Sequence, residues 1–437
     1  MKMATSTRAH NLLSSLPEII FKIMDFLPTQ DIETTSLINS TWEREALRHL
    51  LRRNSVDVRL HTGTDSTDDL VPLRNLSPVQ LSLYIPPPKE DQLEVLFSKI
   101  DSFTVLNFTS VTKFSLFIPV DNSLRHVASR FTKIHESFKN LKSLEFQFYL
   151  TNPIESFSSG QNWADLFPDS HVTQNLTNLS LDVSRLLPDR ETDRWDHMVS
   201  LTTRLVSVFR HVESLKLIDT RGGLNHEKDL ILPHLKSICL IRTFPIYGEY
   251  NPVTQFFDFE APFAPSFANV RRLEFNILFH DKSNSVDLLQ LLAPQLEHVC
   301  ISGVHNTSPN NRNYAVTYVP IPVLPRLKVF EILREESIDR DYERNFFRPH
   351  IYLNFKSGRD AIAPVYGEHF PVLERLRVHV VPSTWKNEIP CPDENLHFEA
   401  TMLFLYENFL KEGITPSETV KSLDIGFPRG EGMWEIW

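Results

Sequence analysis

The chain has 437 residues, with 41% apolar and 23% charged residues and a formal net charge of −10. This length suits one small module beside a large domain; no apolar run approaches the roughly 20 residues of a membrane-spanning helix, and the acidic balance argues against a nucleic-acid or anionic-membrane partner. Cys239, Cys300 and Cys391 are too few and too scattered for a disulfide framework or a paired-cysteine metal site, and the polar, basic first ten residues lack a signal-peptide core, so an intracellular protein of cytoplasm or nucleus is predicted.

The first predicted elements are three short helices. Ser15, Pro17 and Glu18 read as a capping box with proline in the first turn, followed by Ile19, Ile20, Ile23, Phe26 and Leu27 at helical spacing until Pro28 stops the run. A second helix from Thr29 or Asp31 is expected to carry Ile32, Leu37 and Ile38, and Ser40 to Glu43 repeats the box ahead of Trp42, Ala46, Leu47, Leu50 and Leu51. A bundle this small cannot bury all of these side chains, which predicts that a partner completes its apolar surface.

Residues 55–75, with Gly63 and a polar cluster from Asp65 to Asp69, read as a connector. Beyond it, an apolar-x-x-apolar-x-apolar triple recurs ten times: Val111/Phe114/Leu116, Leu141/Leu144/Phe146, Leu176/Leu179/Leu181, Val212/Leu215/Leu217, Leu235/Ile238/Leu240, Val270/Leu273/Phe275, Leu296/Val299/Ile301, Leu327/Phe330/Ile332, Leu373/Leu376/Val378 and Val420/Leu423/Ile425. Pro233, Pro294, Pro325 and Pro371 each stand two residues before a triple, where a missing donor is tolerated. Recurrence at this period predicts stacked strands whose units bury their apolar edges on one another, with Leu215 and Leu273 fully buried. The competing arrangement is a mixed α/β domain whose strands merely look alike. Helical stripes are predicted at Leu124, Val127, Ala128, Phe131, Ile134 and Phe138; at Trp195, Met198, Val199, Thr202, Leu205, Val206 and Phe209; and at Met402, Leu405, Tyr406, Phe409 and Leu410.

Leu16-Pro17-Glu18, the paired isoleucines, Leu27-Pro28, Asp31, Leu37-Ile38-Asn39 and Trp42 together resemble an F-box over roughly residues 12–54. The triples resemble an irregular leucine-rich repeat, although the asparagine that usually follows the strand is mostly missing. These resemblances imply an α/β chain: a three-helix F-box at 12–54, a connector at 55–75, and a leucine-rich-repeat-like solenoid at 76–437 with a curved parallel sheet and helices on its outer face. They further imply a non-catalytic substrate receptor of a cullin-based ubiquitin ligase. Leu16, Pro17, Ile20, Leu27, Asp31, Ile38 and Trp42 would map to the face that docks on the Skp-type adaptor, or to the core behind it, with cullin reached through that adaptor.

The sequence carries no metalloprotease, nucleophile-elbow, phosphate-loop or dinucleotide motif, and the His298/Cys300 pair lacks the further ligands or base that chemistry would need. No catalytic residue, metal or cofactor is assigned. A polar ladder flanking the strand apolars and an aromatic stretch at 244–267 are the expected target-binding surfaces, with Tyr247, Tyr250, Arg272, Arg375 and Arg377 as anchors. The target itself is not disclosed. An F-box scaffold acting outside ubiquitylation, or a hydrolase with an unrecognised site, are the alternatives.

Overall fold

The computed structural model describes residues 16–61, 77–88, 90–106, 108–120, 124–149, 175–185, 201–218, 232–241, 267–277, 284–303, 317–335, 351–354, 366–381, 409 and 420–426. The chain is α/β and divides into two compact units, Met1–Pro188 and Asp189–Trp437.

The first unit opens with α1 (Pro17–Asp25), α2 (Thr29–Thr35) and α3 (Ser40–Arg53) and continues through β1 (Ser55–Arg59), β2 (Gln80–Tyr84), α4 (Leu93–Thr104), β3 (Lys113–Pro119), α5 (Leu124–Glu136), β4 (Ser143–Tyr149) and β5 (Asn178–Arg185). Strands β1 to β5 lie side by side in sequence order, each parallel to the next where register is defined from β1 to β5. The second unit holds β6 (Ser214–Ile218), β7 (Ser237–Ile241), β8 (Arg272–Ile277), α6 (Asn284–Leu292), β9 (His298–Gly303), β10 (Thr317–Pro320), β11 (Val329–Glu335), β12 (Ile351–Asn354), α7 (Tyr366–His369), β13 (Arg375–Val381) and β14 (Ser422–Gly426). Here the order β6-β7-β8-β9-β11-β13-β14 is again parallel, while β10 and β12 form a separate parallel pair.

Parallel strands without helical crossovers of fixed length need another device to hold register, and two are present. Equivalent apolar residues fall in line, as in Leu215, Ile238, Leu273, Val299, Phe330, Leu376 and Leu423, and slipping one strand by a residue would turn its apolar set out of the core. In addition, one carbonyl just ahead of each strand accepts two successive N–H groups from the next. Lys236 takes Arg271 and Arg272 at 2.8 and 3.0 Å, Arg271 takes Glu297 and His298 at 2.8 and 3.0 Å, and Lys328 takes Glu374 and Arg375, each at 2.9 Å.

Nine of the ten predicted triples are buried throughout. The tenth differs: Leu423 on β14 is 36% exposed, because among the described residues β14 has a neighbour on one side alone. The stripe Leu124 to Phe138 is likewise buried, and Phe138 packs on Phe114 of β3 with ring centroids 4.5 Å apart. Of the second stripe, Thr202, Leu205, Val206 and Phe209 are buried, with 201–208 helical; of the third, Phe409 is buried and the rest lies outside the described residues.

Three elements depart from expectation. Residues 55–59, read as connector, form β1, because Val56 and Val58 pair in register with Leu81 and Leu83. The strand β2 and helix α4, with Leu96, Ile100 and Phe103 buried, precede the first predicted triple. Replacing Leu273 by alanine should cost about 2 to 5 kcal/mol, whereas Leu423→Ala should cost less than about 1 kcal/mol, as read by chemical denaturation. Equal losses would contradict the burial described for these two positions.

Candidate functional site

Two surfaces stand out, and the first is the N-terminal bundle. Leu16 is the N-cap of α1, in extended conformation without a side-chain cap, and its carbonyl accepts from Ile19 and Ile20; the expected cap Ser15 lies outside the described residues. The second capping box is also displaced. Asn39, not Ser40, caps α3: its Oδ1 accepts from the Thr41 and Trp42 N–H groups at 2.9 and 3.1 Å, which satisfies two orphan donors at once from one residue earlier. The helix α2 ends at Thr35, so Leu37 and Ile38 fall in the link to α3 instead of on the helix.

The bundle interior is small: Ile20, Met24, Ile32 and Ala46, with Leu27, Trp42 and Leu50 packed against it. Polar contacts close it. Pro28 prevents α1 from continuing, and the guanidinium of Arg53 donates to the carbonyls of Leu27, Met24 and Asp25 at 2.5, 2.8 and 3.0 Å, tying the end of α1 to α3. Arg52 bonds Asp25 and lies over the Phe21 ring. Gln80 of β2 in turn donates to the carbonyls of Arg52 and Arg53, at 3.2 and 3.3 Å. None of these links is visible in a hydrophobic pattern.

Outside this interior, apolar side chains stand exposed among the charged ones. Seven of the twelve large apolar side chains exposed among the described residues belong to this bundle: Leu16, Ile19, Ile23, Phe26, Leu37, Ile38 and Leu47. Phe26 is 87% and Leu37 84% exposed, so exposed apolar side chains are more frequent here than elsewhere among the described residues. Of the residues singled out from sequence, Leu16, Asp31 and Ile38 are exposed, Pro17 is half-buried in the first turn, Ile20 is interior, and Leu27 and Trp42 pack on that interior. Phe26 and Leu37, the two most exposed, were legible as apolar but not as surface, because both follow the last turn of a helix.

The second surface is the strand face of the second unit opposite its apolar row. In register across it run Lys216, Cys239, Glu274, Cys300, Glu331, Arg377 and Asp424. Glu331 is central: the His298 ring Nε2 meets its Oε2 at 2.5 Å, and Arg377 Nη1 donates to its Oε1 at 2.6 Å, while Arg377 Nε donates to Asp424 at 2.9 Å. The bond to His298, opposed by partial burial and aided by Arg377, holds the Glu331 carboxyl down at about 2. Partial burial works against the charge of Arg377, but its bonds to Asp424 and Glu331 outweigh this and keep it above its ordinary value. Arg272 bonds Glu274 at 3.3 Å, and Arg375 lies exposed. Tyr247 and Tyr250 lie outside the described residues.

The thiols on this face are inert. Burial, and then the Glu274 carboxylate, push Cys239 up to about 12 and raise Cys300 further still, so neither supplies a thiolate nucleophile near neutral pH. Among the described residues no group of three or more His, Cys, Asp or Glu side chains is placed to hold a metal ion, and no helix is long and apolar enough to cross a membrane. The Cys239 thiol is hydrogen-bonded to the Glu274 carboxylate, and burial keeps it protonated.

Two acid-sensitive groups give separate tests. His49 is buried beside Phe21, and burial together with the charge of Arg52 lowers its pKa from 6.5, against the pull of Asp25. The folded bundle therefore favours neutral His49, and the stability this contributes is present above pH 6.5 and declines as pH falls below it. His49→Phe should reduce the loss of stability between about pH 6.5 and 5, measured by thermal melts. Glu331 behaves oppositely in form: its ionised state contributes fully above the ordinary value of 4.5, and that contribution is lost as pH falls toward about 2. Glu331→Gln should lower Tm at neutral pH and flatten the further decline below 4.5; an acid profile that overlays the parent's would show that Glu331 does not govern it.

Comparison of the chain with protein-family models and with curated proteins finds no match.

Proposed function

We propose that the chain is the substrate-recognition subunit of a cullin-based ubiquitin ligase. Its N-terminal bundle acts as an F-box that docks on a Skp-type adaptor, and its parallel-stranded region acts as an irregular leucine-rich-repeat-like solenoid that holds a target protein. The observation that carries this reading is the set of seven exposed apolar side chains within residues 16–47, Phe26 and Leu37 most of all, against an apolar interior of four residues. Such a surface is unfavourable in water and is suited to a permanent partner. The charged strand face, whose thiols burial keeps protonated, offers a polar surface for a protein target. The receptor would act by proximity, raising the effective concentration of target lysines near a ubiquitin-loaded enzyme. The scheme gives no role to nucleic acid or a membrane, and a cullin-based ligase would act in cytoplasm or nucleus.

Phe26 and Leu37 can be changed with little effect on folding because they are exposed. Phe26→Asp with Leu37→Asp should weaken adaptor binding more than tenfold, or about 1.4 kcal/mol, with thermal stability altered by less than about 0.5 kcal/mol. Unchanged binding to a purified Skp-type adaptor would sink the assignment. Adaptor binding without recovery of cullin would instead favour a scaffold acting outside ubiquitylation.

A further inference from the structure

Two helix ends of the bundle are closed by groups from elsewhere in the chain, and Arg53 takes part in both. The last carbonyls of an α-helix have no partner within it. At the end of α1, those of Met24 and Asp25 accept from Nη2 of Arg53, and the Leu27 carbonyl just beyond accepts from its Nη1. At the end of α3, the Leu50 carbonyl accepts from the Asn54 N–H at 2.8 Å and that of Leu51 from the Val79 N–H at 3.2 Å. The carbonyls of Arg52 and Arg53 accept from Nε2 of Gln80. Arg53 therefore gives its side chain to α1 and its own carbonyl to the residue that opens β2.

Both connections lead to features described above. Phe26, the most exposed apolar side chain of the bundle, is the C-cap of α1, its backbone still helical at φ −94° and ψ −8°. Its N–H and that of Leu27 donate to the Ile23 and Met24 carbonyls at 3.1 and 3.2 Å, and the carbonyls of its two neighbours, Asp25 and Leu27, are held by Arg53. In the other direction, the Val79 carbonyl accepts the Thr112 and Lys113 N–H groups at 2.9 and 3.1 Å, the same arrangement that sets strand height at Lys236, Arg271 and Lys328. Val79 thus joins the end of α3 to the register of β2 and β3.

We propose that Arg53, held by Gln80, is a positioning residue for the adaptor-binding surface: it presets the backbone that carries Phe26 and fixes that anchor relative to the first strands of the sheet. The adaptor as occupant rests on the receptor reading given above. An aromatic anchor whose backbone is already fixed loses less freedom on binding, so affinity is gained without a further contact. Lysine is no substitute here, because a single ammonium does not present the planar fork of donors that spans three carbonyls.

The test uses the full chain. In hydrogen exchange resolved by residue, Arg53→Lys should speed the Phe26 and Leu27 amides at least about tenfold, while the Glu43 amide, which donates to the Asn39 carbonyl at the opposite end of α3, keeps its rate. Gln80→Met, which removes the donor and keeps the length of the side chain, should speed the same two amides at least about twofold. Against a purified Skp-type adaptor, Arg53→Lys should weaken binding at least about fivefold in the parent and in a Leu37→Ala background, but less than about twofold in a Phe26→Ala background, since it acts through Phe26. Equal acceleration of the Glu43 amide, unmoved exchange in either variant, or a loss of affinity that ignores the Phe26 background overturns the positioning role and leaves the receptor reading standing. An adaptor that binds no version of the chain, with exchange as expected, overturns the receptor reading and leaves Arg53 and Gln80 as the hold on Phe26.

Discussion

In-register stacking of parallel strands is the constraint on which the other features depend. Each strand must enter the sheet at the same height as its neighbour, or its apolar pair leaves the core. The shared carbonyl that accepts two N–H groups from the next strand sets that height repeatedly, from Lys236 to Glu374. Because the height is common, side chains of the opposite face also fall into rows, and Glu331 meets His298 and Arg377 from strands on both sides. The charge network is thus a consequence of backbone register. Its partners are brought together from residues 298, 331, 377 and 424, which no local spacing in the chain connects.

The N-terminal bundle obeys a different limit. With Ile20, Met24, Ile32 and Ala46 as its interior, it has little apolar burial to set against the conformational entropy of ordering three helices. Polar closure compensates: Asn39 satisfies the start of α3, and Arg53 satisfies the end of α1. Phe26 and Leu37 lie just beyond the ends of α1 and α2, and both are exposed. The exposed apolar side chains of the bundle thus include two at its helix ends.

Much of the sheet was legible in the sequence because a buried strand position is a simple signal. Nine triples and the stripe Leu124 to Phe138 are buried as their spacing implied. The strand β1 was missed because Ser55-Val56-Asp57-Val58-Arg59 offers just two apolar residues among polar ones, beside a segment that reads as a loop. Helix α4 had a usable period in Leu93, Leu96, Phe97, Ile100 and Phe103 that lay outside the repeating triple. The caps show a subtler limit. Ser40 and Asn39 are both good N-cap residues, and the choice between them is settled by the backbone, since Asn39 is extended and Ser40 is already helical. Of the site, the apolar character of residues 16–47 was readable, but which of them point outward depends on helix ends one or two residues away. The pairing of His298, Glu331, Arg377 and Asp424 follows from register and could not be read from any one segment.

Register held by the backbone has a consequence for how such a chain can change. The interval between equivalent positions is 23 residues from Val212 to Leu235 and 47 from Leu373 to Val420, yet the strands at both places pair without slipping. Doubling a flexible connection adds only about 0.6 kcal/mol of closure entropy. A lineage of such chains can therefore vary the length of a connection while the strands it joins keep their register, but not the residues by which that connection enters the core, such as Phe409 against Phe330 between β13 and β14.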